Sequence, residues 1–181
     1  AYIAGSYTCD VTDANGCTTS RSFTISQPTA ISINGTAHDA GCNGASTGNV
    51  TTGISGGTTP YTYAWSNGST SGSATQLAAG TYTLTLTDAN GCTSQRSYTV
   101  NQPSAITSNA SSTDALCNGS NDGTAAVSPT GGTSPYTITW QGGGTGTTIT
   151  ALAAGNYTYS IIDANGCLKT GSTTIGQPTV L

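Results

Sequence analysis

The chain has 181 residues, of which three are Lys or Arg and seven are Asp, and it contains no Glu. Three cations cannot neutralise a nucleic-acid backbone, and no run of about 20 apolar residues could span a bilayer, so nucleic-acid binding and membrane insertion are excluded. Abundant Thr, Val and Ile and nine Tyr favour folded strands over disorder. Six cysteines without zinc-finger spacing favour disulfides and an extracellular, cell-surface location.

The motif TDANGC divides the chain into repeats. It occurs at residues 12–17 and 87–92 and returns as IDANGC at 162–167, an interval of 75 residues each time. A period of this length indicates a string of small domains and not a solenoid, whose units are about 20–45 residues long. The interval predicts four segments: the C-terminal part of a repeat at 1–28, complete repeats at 29–103 and 104–178, and the start of another repeat at 179–181.

Alternating side chains predict the strands of each repeat. In TYTLTLTD, Tyr82, Leu84 and Leu86 alternate with Thr, which is the period of two expected of a half-buried strand. The counterparts of these inward residues are Tyr7, Cys9 and Val11 in the first repeat and Tyr157, Tyr159 and Ile161 in the third. Other predicted strands lie at 31–36, 49–54, 61–65 and 73–77. The predicted fold is all-β: tandem immunoglobulin-like antiparallel β-sandwich domains.

The repeated Asn-Gly pair predicts where each penultimate strand turns back. Asn and Gly tolerate the positive φ values of a two-residue hairpin turn. The predicted turn residues are Asn15 and Gly16, Asn90 and Gly91, and Asn165 and Gly166.

Four aromatic residues are predicted to lie in the core. Tyr82 and Tyr157 follow the turn that opens a penultimate strand, as in the tyrosine corner of immunoglobulin-like folds. Trp65 and Trp140 end the strand motifs PYTYAW and PYTITW. A Trp on this strand is ordinarily packed in the core, and the alternative is an exposed ring that stacks on a sugar.

The cysteine pairing depends on where a repeat starts. With boundaries at the QP pairs, Cys42 pairs with Cys92 and Cys117 with Cys167, while the partner of Cys17 lies outside the chain. This intradomain pairing is favoured because a small domain needs an internal staple. The competing pairing joins Cys17 to Cys42 and Cys92 to Cys117 across repeat junctions. Cys9, at an inward position, is expected to be a buried thiol.

Catalytic and metal-binding chemistry find little support in the sequence. The sole histidine, His38, lies beside Asp39, but Thr113 takes its place in the next repeat. Ser and Thr are abundant, but no general base accompanies any of them in each repeat. We therefore expect no enzyme activity and no cofactor. Weak calcium candidates are Asp88, Asp114 and Asp122, although Asp also forms turns by binding its own backbone.

Two long segments resemble a known family. CNGASTGNVTTGISGGTTPYTYAW and CNGSNDGTAAVSPTGGTSPYTITW, each followed by LAAG, DANGC and QP motifs, resemble the SprB-type repeat of cell-surface proteins in gliding and related Bacteroidota. The resemblance implies a non-enzymatic extracellular protein, exported by type IX secretion, whose relatives form filaments for adhesion and gliding motility. It supplies no binding residues.

The sequence thus predicts a structural stalk segment of an extracellular adhesin or surface filament. Its expected partners are the neighbouring repeats of the same chain. Two alternatives stay open: a subunit of a multi-chain fibre or sheath, whose partners are other copies, and a carbohydrate-binding module, whose partner is a surface polysaccharide.

Overall fold

The structure is a computed structural model that describes residues 2–180. The described chain forms β-strands joined by turns, and none of its residues lies in a helix long and apolar enough to cross a membrane. The strands are β1 (Gly5–Thr12), β2 (Thr18–Ile25), β3 (Ser32–His38), β4 (Gly48–Ser55), β5 (Thr62–Trp65), β6 (Ala74–Leu77), β7 (Gly80–Thr87), β8 (Thr93–Val100), β9 (Thr107–Thr113), β10 (Gly123–Thr130), β11 (Thr137–Trp140), β12 (Thr148–Leu152), β13 (Gly155–Ile162) and β14 (Leu168–Ile175).

The strands divide into two compact units. One unit comprises Ala1–Gly35, Thr52–Ser71 and Thr83–Arg96, and the other comprises Thr36–Thr51, Gly72–Tyr82 and Ser97–Leu181. The second unit contains all of β9 to β14. The domain boundaries inferred from the 75-residue interval stay a prediction.

Strand order identifies the fold. β9, β10 and β12 form one sheet in the order β12-β10-β9, and β11, β13 and β14 form another in the order β11-β13-β14. The strands β3 to β8 repeat this scheme as β3-β4-β6 and β5-β7-β8. In immunoglobulin notation these are the A, B and E strands in one sheet and the C, F and G strands in the other. The predicted immunoglobulin-like antiparallel sandwich is therefore confirmed.

The core of the 104–178 repeat consists of alternate residues from the two sheets. Tyr159 and Ile161 on β13 are buried, as are Val127 on β10 and Ile175 on β14. Trp140 packs beside Tyr159, with ring centroids 5.0 Å apart, and its indole N–H donates to the carbonyl of Gly146 at 3.0 Å. Successive side chains of a strand point to opposite faces of the sheet, so a strand in which every second residue is Thr still has a continuous apolar face.

The first hairpin differs from its counterparts. β1 and β2 form a two-stranded sheet, and no other described strand pairs with either of them. Val11, Phe23 and Ile25 are exposed on this hairpin, although the positions of Val11 and Ile25 correspond to those of the buried Ile161 and Ile175. The expectation that Cys9 is buried is wrong for the same reason: the described structure places no second sheet over its face, and the thiol is exposed.

Candidate functional site: the junction between repeats

The DANGC turn is organised by its aspartate. The Asp163 carboxylate accepts hydrogen bonds from the backbone N–H groups of Asn165, Cys167 and Thr133, each at 2.9 Å. Asp163 is almost fully buried. One side chain therefore ties the turn between β13 and β14 to the loop that precedes β11.

The turn is longer than predicted. Asp163 and Cys167 close a three-residue loop, since the N–H of Asp163 donates to the carbonyl of Cys167 at 3.1 Å and that of Gly166 donates to Asp163 at 3.0 Å. Gly166 has a φ of 81°, whereas Asn165 is not among the residues with positive φ. This is a type I turn followed by a glycine bulge, so the two-residue turn is wrong, although the hairpin itself forms. Gly16 and Gly91 take the same conformation.

Electrostatics favour the ionised form of this aspartate. Burial alone would raise the pKa of Asp163, but the backbone N–H groups of Cys167, Thr133 and Asn165 outweigh it and hold the pKa below its ordinary value. Asp88 has the same arrangement, with its pKa lowered by the N–H groups of Cys92, Thr58 and Asn90 against the effect of burial. Both carboxylates thus act as turn-forming acceptors.

The CNG loop binds the end of its own repeat. The side-chain amide of Asn43 donates to the carbonyl of Pro103 at 3.0 Å, and the N–H of Gly44 donates to the side-chain oxygen of Gln102 at 2.7 Å. Asp39, just before this loop, accepts from the N–H of Asn101 at 2.8 Å. The recurring QP pair is therefore an anchor for the CNG loop.

Residues 101–106, between β8 and β9, are the linker between the two repeats, and the second repeat binds it as well. The N–H of Gly132 donates to the carbonyl of Ser104 at 2.9 Å. Gly131 and Gly132 have φ values of 74° and 61°, and a Cβ on Gly131 would lie 2.1 Å from the carbonyl oxygen of Ala105. Only glycine allows the linker to pack this closely. This glycine pair was not among the predicted site residues, although Gly56 and Gly57 stand at the equivalent positions one 75-residue interval earlier.

A disulfide closes the junction. Cys42 of the CNG loop is bonded to Cys167 of the DANGC turn, with their Cα atoms 5.6 Å apart and a sequence separation of 125. Beside it, the side-chain amide of Asn165 donates to the carbonyl of Gly41 and to the hydroxyl of Thr133, both at 3.0 Å. The bond thus joins one repeat to the following one.

The predicted cysteine pairing is wrong. Neither Cys42–Cys92 nor Cys117–Cys167 forms, and the competing Cys17–Cys42 and Cys92–Cys117 pairs are also absent, since Cys9, Cys17, Cys92 and Cys117 are exposed free thiols. The 104–178 repeat shows the physical reason. Cys167 lies just before the first residue of β14. The loop that contains Cys117 is hydrogen-bonded to Pro178, which lies beyond the last residue of β14. The eight residues of this strand span about 27 Å, so the two cysteines lie at opposite ends of it. A disulfide needs Cα atoms within about 7 Å.

The other candidate residues do not come together as a site. Asp114 accepts from the N–H of Gly176 at 2.7 Å, and Asp122 accepts from the N–H of Leu116 at 3.1 Å. The Ser120 hydroxyl and the Leu116 N–H lower the pKa of Asp122. Within residues 2–180, no group of three or more His, Cys, Asp or Glu could hold a metal ion. His38 ends β3 as an exposed residue.

The aromatic candidates lie where they stabilise the fold. Trp65 and Trp140 are 4% and 3% exposed, so neither ring face is open to a sugar. Tyr82 and Tyr157 are half-buried, and each hydroxyl donates to a backbone carbonyl four residues upstream, at 3.0 Å. These bonds are those of a tyrosine corner.

Comparisons with known proteins agree with the repeat. Residues 34–70 and 109–145 match the family model described as SprB repeat, and the two stretches begin 75 residues apart. No curated protein matches the sequence.

Among solved structures, the N-terminal eight Ig domains of Down Syndrome Cell Adhesion Molecule align with a TM-score of 0.49 and 14% identity over 97% of this chain, which spans 28% of that one. DIP-gamma IG1+IG2 aligns with a TM-score of 0.37 and 11% identity, over 83% of this chain and 98% of that one. The amphioxus IgVJ-C2 molecule aligns with a TM-score of 0.33 and 14% identity, over 84% of this chain and 99% of that one. Two stretches of the chain, one in each 75-residue unit, are thus similar to the SprB repeat.

Proposed function

We propose that this chain is a structural stalk segment of an extracellular adhesin or cell-surface filament. Its role is to transmit force and hold distance, and the adhesive contact is made elsewhere. The SprB match supports an extracellular repeat protein of the adhesion type without catalytic activity. Export by type IX secretion and a part in gliding belong to the proposal.

The junction is the observation that carries the proposal. Its linker is bound from both sides, by Asn43 and Gly44 of one repeat and by Gly132 of the next. A flexible linker would leave these backbone groups to water. The Cys42–Cys167 disulfide adds a covalent connection beside the chain itself. A junction of this kind suits a stiff thread.

The disulfide also protects the repeats against extension. It bypasses the segment between Cys42 and Cys167, a sequence separation of 125 that includes most of both repeats. At about 3.3–3.6 Å per extended residue, roughly 400–450 Å of chain cannot be pulled out while the bond is intact. An adhesin stalk under load would keep its length even if the sandwiches lost their packing.

Single-molecule force extension tests this proposal. The full chain is pulled from enzymatically attached handles at its two ends, first oxidised and then in a thiol reductant. The oxidised chain should extend by only the 55 residues outside the disulfide loop, about 200 Å, and the reduced chain by a further 400–450 Å. Equal contour lengths in both states would refute the mechanical role. A Cys117→Ser chain is the matched control and should behave as the unaltered chain.

One observation favours the alternative of a multi-chain fibre. The chain carries only three Lys or Arg and seven Asp in 181 residues, so charge repulsion between neighbouring threads is small and copies can pack side by side. Mass per unit length by electron microscopy separates the two functions. A single thread of about 7 kDa repeats, each roughly 30–40 Å long, gives about 2 kDa per nm, whereas a fibre gives several times more.

A further inference from the structure

We propose that Cys117 forms a disulfide with the DANGC cysteine of a repeat that follows in the same polypeptide. Each CNG cysteine would then be bonded to the turn of the next repeat, and the Cys42–Cys167 bond would be one rung of a covalent ladder. This disulfide would form whether or not the chain is part of a stalk.

The loop around Cys117 has the same hydrogen bonds as the loop around Cys42. The side-chain amide of Asn118 donates to the carbonyl of Pro178 at 3.1 Å, and the N–H of Gly119 donates to the side-chain oxygen of Gln177 at 2.9 Å. The equivalent distances at Asn43 and Gly44 are 3.0 and 2.7 Å. The loop is therefore already in the conformation that carries a disulfide in the preceding repeat.

The surroundings of Cys117 are uncovered. Cys42 is half-buried against the next repeat, whereas Cys117 is exposed. Leu116 and Val180, which together with Cys117 line a shallow cleft, are 78% and 77% exposed. The occupied junction at Cys42 shows what fits this surface, namely the DANGC turn of a following repeat.

The receiving turn is a constant feature of the repeat. Asn90 donates from its side-chain amide to Thr58 at 2.9 Å, as Asn165 does to Thr133 at 3.0 Å. The Asp88 carboxylate accepts from the N–H of Cys92 at 2.9 Å, which holds the cysteine at the surface. A turn with this geometry presents both its thiol and an asparagine amide to a CNG loop.

Bond formation is a two-electron oxidation. The Cys117 thiol and the turn thiol lose two protons and two electrons, and one S–S bond forms. The electrons pass to an external disulfide oxidant, whose own S–S bond is cleaved to two thiols by exchange through a mixed disulfide. The oxidising space outside the cell favours the bonded state.

The ladder would have a mechanical consequence that a single bond lacks. Each cysteine of a DANGC turn is followed by a CNG cysteine 25 residues later, as Cys92 is followed by Cys117. A disulfide from that CNG cysteine then bypasses the next 125 residues, as the Cys42–Cys167 bond does. Only 25 of every 150 residues would be extensible, about 90 Å of chain. Successive bonds overlap, so two interleaved covalent paths run along the thread and one reduced bond would not open it.

The test extends the full chain by one repeat. A copy of residues 32–103 is joined after Leu181, which adds two cysteines, and the protein is oxidised with a glutathione redox pair. The original chain has four free thiols, and the extended chain should again have four, with two disulfides. The measurements are thiol alkylation with intact mass and non-reducing peptide mapping.

Matched variants make the result specific. In the extended chain, Cys117→Ser should leave five free thiols and one disulfide. Cys92→Ser should keep two disulfides and three free thiols, and it also makes the added turn peptide unique for mapping. Six free thiols in the unaltered extended chain, a Cys117 bond to Cys92, or a Cys117 bond between two molecules would each overturn the proposal.

Discussion

Replacing Cys42 by Ser should destabilise the chain by several kcal/mol. The Cys42–Cys167 bond closes a loop of 125 residues, and the loop-entropy model gives about 5 kcal/mol for a loop of this length at 25 °C. The bond restricts the unfolded chain across two repeats, so its loss affects both. For a protein of this size, that free energy corresponds to a fall in Tm of roughly 10–20 °C.

The assay is urea unfolding of the oxidised protein, followed by circular dichroism and by the fluorescence of Trp65 and Trp140. Cys42→Ser and Cys167→Ser should lower the unfolding free energy equally, because each removes the same bond. Cys117→Ser is the control and should change it by less than about 0.5 kcal/mol, since the thiol is exposed. If Cys117→Ser were as destabilising as Cys167→Ser, the two cysteines would be bonded within one repeat and the reasoning would be refuted.

Three further perturbations test the local structure. Gly132→Ala should lower the free energy of unfolding in urea by more than about 2 kcal/mol, because the φ of Gly132 is positive and the added Cβ would lie 2.6 Å from Ile106. Gly53→Ala is the control and should leave that free energy nearly unchanged, since a Cβ at Gly53 meets nothing within 4 Å. Ala151→Gly should stabilise by about 0.5–1 kcal/mol in the same assay, since its φ of 59° strains an L-residue. Because folding lowers the pKa of Asp163, the stability that this carboxylate provides is present above about pH 3.9 and is lost as the pH falls further; Asp163→Asn should flatten that loss in an acid titration, and an unchanged profile would contradict its role.

The sequence was sufficient for the strands and their faces. Leu84 and Leu86 are fully buried because alternation with Thr specifies one apolar face, and a period of two needs no knowledge of distant residues. Trp65 and Trp140 follow the same logic, since the strand that carries them occupies the same place in every repeat. These are local properties, repeated at a fixed interval.

The cysteine pairing could not be obtained in the same way. Cys42 and Cys167 lie in different repeats, and only the three-dimensional arrangement shows that the CNG loop meets the turn of the next repeat. The assumption that a small domain holds its own disulfide led to the wrong pairs. The recurrence of Gly131 and Gly132 at one interval after Gly56 and Gly57 was the available signal that the linker is tightly packed.

Non-reducing peptide mapping of the oxidised chain tests the central claim most directly. A covalent junction between consecutive repeats predicts a cross-linked peptide pair that contains Cys42 and Cys167, with Cys92 and Cys117 recovered as alkylated thiols. Peptides that join Cys42 to Cys92, or Cys117 to Cys167, would show that each repeat is stapled internally and would contradict the account.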